Sequence, residues 1–267
     1  SYAVAIAELD RQFAAALRHH QNKGLLDNAI VVLLSDHGEA LGAPSDSMLR
    51  ETGTSREIWD SLWGHGTSVL SPHQYRVLLA MRAFGRARLP GPEQDYDWPV
   101  SLEDIRPTLE EFATGKSEPD VDGLSLLPYM AQPARAADLT TRIRFTETDF
   151  NTPHTLAGRY NASGLIDEAV IYYELDGSTG WVQFRDDRLA DLYAQKQRAA
   201  FTPGQLLAAV PGPGNAGARY LLMDRNRPRP KPLDGPPEPD AAGDARRLWD
   251  ALHARFPGEL APPAAIP

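Results

Sequence analysis

Two adjacent polar residues, Asp36 and His37, follow directly on an unbroken apolar run at residues 29–34. Such a run, rich in β-branched residues, is typical of a strand buried on both faces, as in a parallel sheet, and ligands bind at the carboxyl ends of such strands. A carboxylate and an imidazole there offer an oxygen and a nitrogen ligand to a divalent cation. Gly38 allows a tight exit turn, and Glu39 is a candidate hydrogen-bonding partner of a ligand. The alternative is that Asp36 caps the next segment and His37 is a surface residue.

A second motif, GHGTS at residues 64–68, precedes another apolar run at residues 75–81. The glycines on either side of His65 let the backbone approach a ligand and leave the imidazole exposed. Thr67 and Ser68 add hydroxyl donors. An exposed imidazole is a suitable donor to an anionic ester oxygen. The alternative is a flexible glycine loop with a solvent-exposed histidine.

The remaining histidines carry weaker signals. His20 lies near the end of a predicted helix, where it meets the helix dipole favourably, and is interpreted as structural. His154 follows Glu147 and Asp149, so a second polar cluster is conceivable, although the pattern favours a loop. The chain contains no Walker A loop and no G-x-S-x-G, and its G-x-G-x-x-G match, GPGNAG at residues 212–217, precedes a predicted strand rather than a helix. Phosphate-loop NTPases, dinucleotide-binding proteins and α/β-hydrolases therefore lose their support.

The order of the predicted helices and strands that position these residues indicates an α/β layer. Helix, strand, strand and capped helix are predicted, in that order, at residues 2–23, 29–34, 75–81 and 101–113. Between the two strands, residues 40–64 have no clear period. We predict an irregular loop there, with a short helix around residues 56–62.

The pattern changes beyond residue 140. Short strand-like runs occur at residues 143–147, 169–173, 181–184 and 219–223. The turn residues at 176–178 indicate a hairpin, so we predict a small antiparallel sheet. Prolines dominate residues 226–243, a predicted linker, and a last short helix is predicted at residues 248–256. We expect an α/β domain over residues 1–135 and a small α+β subdomain over residues 136–267.

The composition excludes several classes of protein. The 27 Lys and Arg against 36 Asp and Glu in 267 residues give a net charge of −9, which argues against nonspecific binding to nucleic acid. The chain has no cysteine, which excludes disulfides, zinc–thiolate sites, iron–sulfur clusters and a cysteine nucleophile. No apolar run reaches ~18 residues, so we predict no membrane span in this chain.

Three segments together resemble a known family. DNAIVVLLSDHGEALG, GHGTSVLSPHQYRVLLAM and SLEDIRPTLEEF with DGLSLLP lie at residues 27–42, 64–81, 101–112 and 122–128. They are similar, in order and spacing, to three blocks of the sulfatase family in the alkaline phosphatase superfamily. The resemblance is good over residues 1–130. Over residues 140–267 it is architectural, because such families end in a small antiparallel sheet.

The resemblance implies a partial alkaline-phosphatase-like α/β sandwich with a small C-terminal antiparallel sheet subdomain. It implies that Asp36 and His37 bind the active-site metal, that His65 is the catalytic donor to a sulfate or phosphate oxygen, and that Thr67 helps His65 to bind the substrate. The implied cofactor is a divalent metal ion. Calcium is favoured for a sulfatase, and manganese or zinc for a phosphodiesterase. Families of this kind are often periplasmic or membrane-associated.

The sequence departs from the family at the nucleophile. The family's C/S-x-P-x-R motif and the paired aspartates of its first strand are absent from the 267 residues. The resemblance therefore implies the C-terminal half of a metal-dependent hydrolase of sulfate esters, inactive alone. Its partners would be a small-molecule or glycan sulfate or phosphate ester and the missing N-terminal half. The alternatives are a phosphoglycerol transferase or phosphodiesterase of the same superfamily, and a degenerate non-catalytic binding module.

Overall fold

A computed structural model describes residues 2–42, 47–51, 57–61, 63–150, 162–212, 217–238 and 243–260. The chain divides into two compact units. The first unit comprises Ser1–Asp36 and Val77–Leu139, and the second comprises His37–Arg76 and Thr140–Pro267. The second unit thus takes in residues 37–76 from the half of the chain that we predicted as one α/β domain. The predicted boundary near residue 135 stays a prediction.

The described residues form both strands and α-helices. The strands are β1 (Asn28–Leu34), β2 (Ala40–Leu41), β3 (Ser47–Glu51), β4 (Glu57–Ser61), β5 (Trp63–Gly64), β6 (Leu79–Gly85), β7 (Arg144–Glu147), β8 (Tyr173–Leu175), β9 (Val182–Phe184), β10 (Arg198–Phe201), β11 (Gln205–Pro211), β12 (Ala218–Asp224) and β13 (Arg227–Leu233). The α-helices are α1 (Tyr2–Asn22), α2 (Pro72–Tyr75), α3 (Ile105–Thr114), α4 (Leu127–Ala131), α5 (Ala137–Thr140), α6 (Ala162–Tyr172), α7 (Leu189–Ala194) and α8 (Ala245–Arg255). Short 3₁₀ turns lie at Leu102–Asp104, Pro133–Ala136 and Asp186–Arg188. Among the described residues, no helix is both long and apolar enough to cross a bilayer.

In the first unit, the apolar run forms β1, as predicted, and pairs with β6 from Asn28↔Gly85 to Leu34↔Leu79. This pairing is antiparallel, and Leu34 is 43% exposed. The expectation of a parallel strand buried on both faces is therefore wrong for the described residues. An apolar run reflects burial alone, and it does not specify the direction of the partner strand.

The second predicted strand begins later than its sequence pattern indicates. Pro72 opens the short helix α2, because its fixed φ is already suited to a first helical turn. The helix ends at Tyr75, so β6 runs over Leu79–Gly85 rather than residues 75–81. The predicted helix at 101–113 is confirmed as a 3₁₀ turn followed by α3. Its capping box is present, with the Asp104 carboxylate accepting the Ser101 N–H at 2.8 Å.

The second unit is built on a five-stranded antiparallel sheet in the order β13-β12-β11-β10-β7. Apolar side chains alternate between its faces. Ala199 and Phe201 lie in one buried cluster with Val69 and Leu70, which lie shortly before α2. Ala200 lies in the opposite cluster, which α8 supplies with Leu248 and Leu252. Both faces of this sheet are thus covered, and the chain around Val69 is fixed to one of them.

Three expectations for irregular or extended segments are corrected. The predicted helix at 56–62 is the strand β4, paired with β3. The predicted strand at 169–173 lies mostly in α6, whose mixture of helix-forming and β-branched residues is ambiguous in sequence. The predicted linker at 226–243 contains β13. Its alternating prolines, which lack an N–H donor, are tolerated because β13 is the edge strand of the sheet.

The remaining predictions are confirmed. Strands occur within 143–147, 181–184 and 219–223, and the predicted last helix is α8. β8 and β9 form the predicted hairpin. In its turn, Asp176 Oδ1 accepts the Ser178 N–H at 2.7 Å. These contacts lower the pKa of the Asp176 carboxyl to about 2, chiefly because the Ser178 hydroxyl also donates to the carboxylate.

Candidate functional site: a histidine and glutamate cluster

The polar segment after β1 is held at both ends by the backbone. Before it, the Ser35 N–H donates to the Leu78 carbonyl at 3.1 Å, and the Leu78 N–H donates to Ser35 Oγ at 2.9 Å. After it, the Gly38 N–H donates to the Gln74 carbonyl in α2 at 2.8 Å. A Cβ atom on Gly38 would lie 2.0 Å from the carbonyl oxygen of His73. Glycine is therefore required at position 38, in agreement with the predicted tight turn.

The GHGTS loop is fixed just as firmly. Gly64 and Gly66 adopt positive φ values of 89° and 69°, which favour glycine. The buried Gln74 side chain accepts the N–H groups of Thr67 and Ser68 at 2.8 and 2.9 Å through Oε1. The Gly66 carbonyl accepts the Asp149 N–H at 2.9 Å. As expected, the loop leaves the His65 side chain 51% exposed.

A short strand pair joins the two motifs. β2 and β5 pair through Ala40↔Gly64 and Leu41↔Trp63. Glu39 precedes β2 and His65 follows β5, so this register places them opposite each other. His65 Nδ1 lies 2.9 Å from Glu39 Oε2. The pairing thus brings together side chains that are 26 residues apart in sequence.

His37 completes the group. Its ring stacks on that of His65, with centroids 3.7 Å apart and planes inclined by 22°. Each of His37, Glu39 and His65 offers one ligand atom, and these atoms lie within 4.8 Å of one another. His37 and Glu39 are half-buried. These three residues are called the HEH cluster below, and all of them belong to the second unit.

The other two predicted site residues are placed differently. Asp36 is exposed and does not belong to the HEH cluster. It is the last residue of Ser1–Asp36, which belongs to the first unit. Thr67 lies two residues beyond His65, and its hydroxyl accepts the Gln74 Nε2–H at 2.8 Å. Its own O–H makes a long contact of 3.3 Å with Gln74 Oε1. The metal and substrate roles assigned to these residues from sequence remain predictions.

Sequence reasoning gave Glu39 a supporting role and overlooked Gln74. A signal for Glu39 exists, because residues two apart in an extended segment lie on the same side, as His37 and Glu39 do here. Gln74 gives no comparable signal, because its role depends on the fold of the GHGTS loop. Part of the weaker polar cluster, His154, falls outside the described residues.

The HEH cluster fits a divalent metal ion by its donor chemistry. Two imidazole nitrogens and one carboxylate oxygen are a common ligand set for zinc and related metals. Calcium prefers six to eight oxygen ligands, and the HEH cluster offers one carboxylate. Binding of calcium, the metal favoured from the sequence, therefore requires further oxygen ligands such as Asp36. The HEH cluster itself suits a metal that accepts nitrogen ligands.

Comparisons with known proteins agree with the motifs. Residues 1–88 match a family described as a protein of unknown function, DUF229. A curated relative, the multifunctional alkaline phosphatase superfamily protein PehA of Trinickia caryophylli, is 26% identical over 151 residues, which are 56% of this chain. The chain spans 25% of the length of that protein.

Among solved structures, the chain is similar to the phosphonate monoester hydrolase SpPMH from Silicibacter pomeroyi. The sequence identity is 18% and the TM-score is 0.49. The match covers 93% of this chain and 38% of that one.

Proposed function

We propose that this chain forms part of a metal-dependent hydrolase of sulfate esters. Its predicted resemblance to the sulfatase-like proteins of the alkaline phosphatase superfamily is confirmed by its sequence matches. The observation that carries this proposal is the HEH cluster, which gathers imidazole and carboxylate donors from the two polar motifs. It lies within the segment that matches the family. The HEH cluster and the family match therefore both favour this segment of the chain as the location of the active site.

Asp36 and His37 are the proposed ligands of the catalytic metal ion. A divalent cation bound by them supplies Lewis acidity, which lowers the pKa of a hydroxyl nucleophile and offsets charge on the ester oxygens. His37 Nδ1 lies 2.9 Å from the Gly38 carbonyl, which can only accept a hydrogen bond. Its Nδ1 therefore carries the proton, and Nε2 is the nitrogen that binds metal.

His65 is the proposed donor to the ester group. Its Nδ1 lies on Glu39, so a doubly protonated imidazole donates to Glu39 through Nδ1–H and to an ester oxygen through Nε2–H. The two motif glycines hold the ring exposed for this contact. Charge that develops on the ester oxygens is stabilised by such a fixed donor.

Replacement of His65 by alanine should lower kcat/KM of the full-length enzyme by about 10²–10³-fold, as expected for the loss of one charge-stabilising donor. Steady-state kinetics with a chromogenic ester measures the effect. His20→Ala, which removes an exposed imidazole from α1, is the matched control. A loss below about threefold for His65→Ala would show that His65 is a surface histidine without a catalytic role.

Thr67 is the proposed second contact to the ester. It lies two residues beyond His65 in the same loop, and its O–H, which contacts Gln74 Oε1 at 3.3 Å, would turn toward an ester oxygen. Thr67→Val should reduce kcat/KM by about 10–100-fold, since one hydrogen bond to a charged group is worth about 1.5–3 kcal/mol. Thr67→Ser should retain most of the activity. A loss in Thr67→Ser without a loss in Thr67→Val would instead indicate a packing role for the threonine methyl group.

The nucleophile is proposed to lie outside these 267 residues, because no C/S-x-P-x-R motif occurs in them. The proposed partners are therefore an N-terminal half of the same enzyme and a small-molecule or glycan ester. The second candidate function, phosphodiester hydrolysis, is favoured by the nitrogen-rich HEH cluster, which suits manganese or zinc.

The test is an assay of the full-length gene product, freed of metal by chelation and supplied in turn with calcium, manganese or zinc. Turnover of 4-nitrophenyl sulfate with calcium is the expected result. Turnover of bis(4-nitrophenyl) phosphate alone would favour the phosphodiesterase. Absence of turnover of both esters by a folded protein that binds metal would indicate a non-catalytic binding module.

A further inference from the structure

The HEH cluster has a property that the proposed reaction does not use. Its two histidines and one glutamate lie in one compact unit, and their ligand atoms are within 4.8 Å of one another. A single cation at bonding distances of about 2.0–2.2 Å from each donor requires donor atoms that are about 3–4 Å apart. The three ligand atoms are therefore close to the separation that one ion requires.

The hydrogen bonds within the HEH cluster already fix which nitrogens face a cation. The Gly38 carbonyl accepts from His37 Nδ1 at 2.9 Å, so the His37 ring presents Nε2. His65 Nδ1 lies 2.9 Å from Glu39 Oε2, a separation at which the two atoms can bind one ion once Nδ1 has lost its proton. A histidine that binds metal through one nitrogen commonly donates its other N–H to a backbone carbonyl or a carboxylate, and this contact orients the ring and raises its basicity.

The backbone holds these side chains in place without a metal. Gly38 is bonded to α2, and the β2–β5 pairing fixes Glu39 opposite His65. The side chains of His65 and Glu39 are 51% and 29% exposed, so an ion from solvent can reach them. The site is thus largely formed in advance, which lowers the entropic cost of binding.

We propose that His37, Glu39 and His65 form a binding site for a borderline divalent cation of the zinc class, independently of Asp36. Two nitrogens and one oxygen match zinc better than calcium or magnesium, which prefer oxygen ligands. Such a site uses three protein ligands and leaves a fourth position for water.

A consequence follows that rests on the proposed function. An ion held by His65 Nδ1 and Glu39 removes the Nδ1–H, so His65 is no longer the doubly protonated imidazole that is proposed to donate to the ester. The same ion takes His37 away from the proposed pair with Asp36. Zinc at the HEH cluster should therefore inhibit the calcium-supported hydrolase rather than activate it.

The direct test is isothermal titration of Zn²⁺ into the metal-free 267-residue chain. The expected result is one site, which Glu39→Gln and His65→Ala each weaken at least about tenfold, because loss of ligands or their hydrogen-bonded partners typically costs 10–100-fold in affinity. His20→Ala should bind as the wild type does, and Asp36→Ala should too. Affinities in Glu39→Gln and His65→Ala equal to that of the wild type would overturn the proposal.

A second measurement needs no variant and so does not depend on variant folding. The wild-type chain is titrated with Co²⁺, whose visible absorption reports the number and type of its ligands, and with Zn²⁺ while the histidine ¹⁵N resonances are recorded. Visible absorption typical of four-coordinate Co²⁺, and Zn²⁺-induced shifts of one histidine Nε2 and one histidine Nδ1 resonance, are expected. Absorption of the hydrated ion alone, or unchanged resonances, would contradict the site.

Inhibition is measured separately on the full-length enzyme with calcium present, by adding Zn²⁺ in steps. Zinc binding without any esterase turnover would support the HEH metal site and contradict the proposed function. If Zn²⁺ neither binds nor inhibits turnover, the HEH metal site is contradicted and the proposed hydrolase function is still supported.

Discussion

Replacement of His37 by alanine is expected to lower kcat/KM of the full-length enzyme by about 10³-fold or more. His37 is the one residue shared by the proposed catalytic pair and the HEH cluster, so its loss weakens metal binding in either arrangement. Lewis-acid stabilisation by a metal is worth several kcal/mol, and each 1.36 kcal/mol is a factor of about ten in rate. Steady-state kinetics and the metal content of the purified protein measure the two effects together.

Two further variants separate the roles of the neighbouring groups. Asp36→Ala should lower calcium affinity if Asp36 is a ligand, as its position after β1 predicts. Equal calcium affinity in the wild type and Asp36→Ala would make Asp36 a surface residue. His20→Ala is the control for loss of an imidazole, because His20 is exposed on α1 and its Nδ1 contacts the carbonyl of Ala16 within that helix. Turnover by His37→Ala similar to that of His20→Ala would exclude His37 from the metal site.

The sequence was sufficient to locate β1 and the two polar motifs. The apolar run ends abruptly at polar residues, and a glycine beside a polar turn needs little tertiary information to interpret. The direction of the β1 partner was not predictable, because burial produces the same run of apolar residues in a parallel or an antiparallel pair. The proline-rich β13 was missed for a related reason: proline argues against a strand unless the strand is known to lie at an edge.

The composition of the HEH cluster could be predicted only in part. His37 and His65 were recognised as functional candidates from their local motifs. Their contact depends on the β2–β5 register, a pairing between two-residue strands that no local pattern reveals. Glu39 is a neighbour of His65 for the same reason. Long-range pairing therefore determines which of the recognised residues form one cluster.

The second large effect concerns Gly38, whose replacement by alanine is expected to destabilise the second unit by about 3 kcal/mol or more. The added Cβ would lie 2.0 Å from the His73 carbonyl oxygen and 2.7 Å from that of Arg76. Both atoms belong to backbone, so the overlap is relieved only when α2 or the HEH cluster moves. Insertion of atoms into a packed region typically costs 1–3 kcal/mol, and backbone overlap places this site at the upper end. The midpoint of thermal or urea unfolding measures the loss.

Gly204→Ala is the matched control for this effect. A Cβ at Gly204 meets no atom within 4 Å, and the residue has no positive φ, so alanine is tolerated there. The change should leave stability unaltered or raise it by about 0.4–1 kcal/mol, because alanine restricts the unfolded chain. Since His37 and Glu39 flank Gly38, movement of this turn also separates their side chains. Gly38→Ala should therefore lose zinc affinity even under conditions in which it remains folded. Similar unfolding midpoints for Gly38→Ala and Gly204→Ala would show that the turn yields easily, and the contact of Gly38 with α2 could not then be what holds the HEH cluster in place.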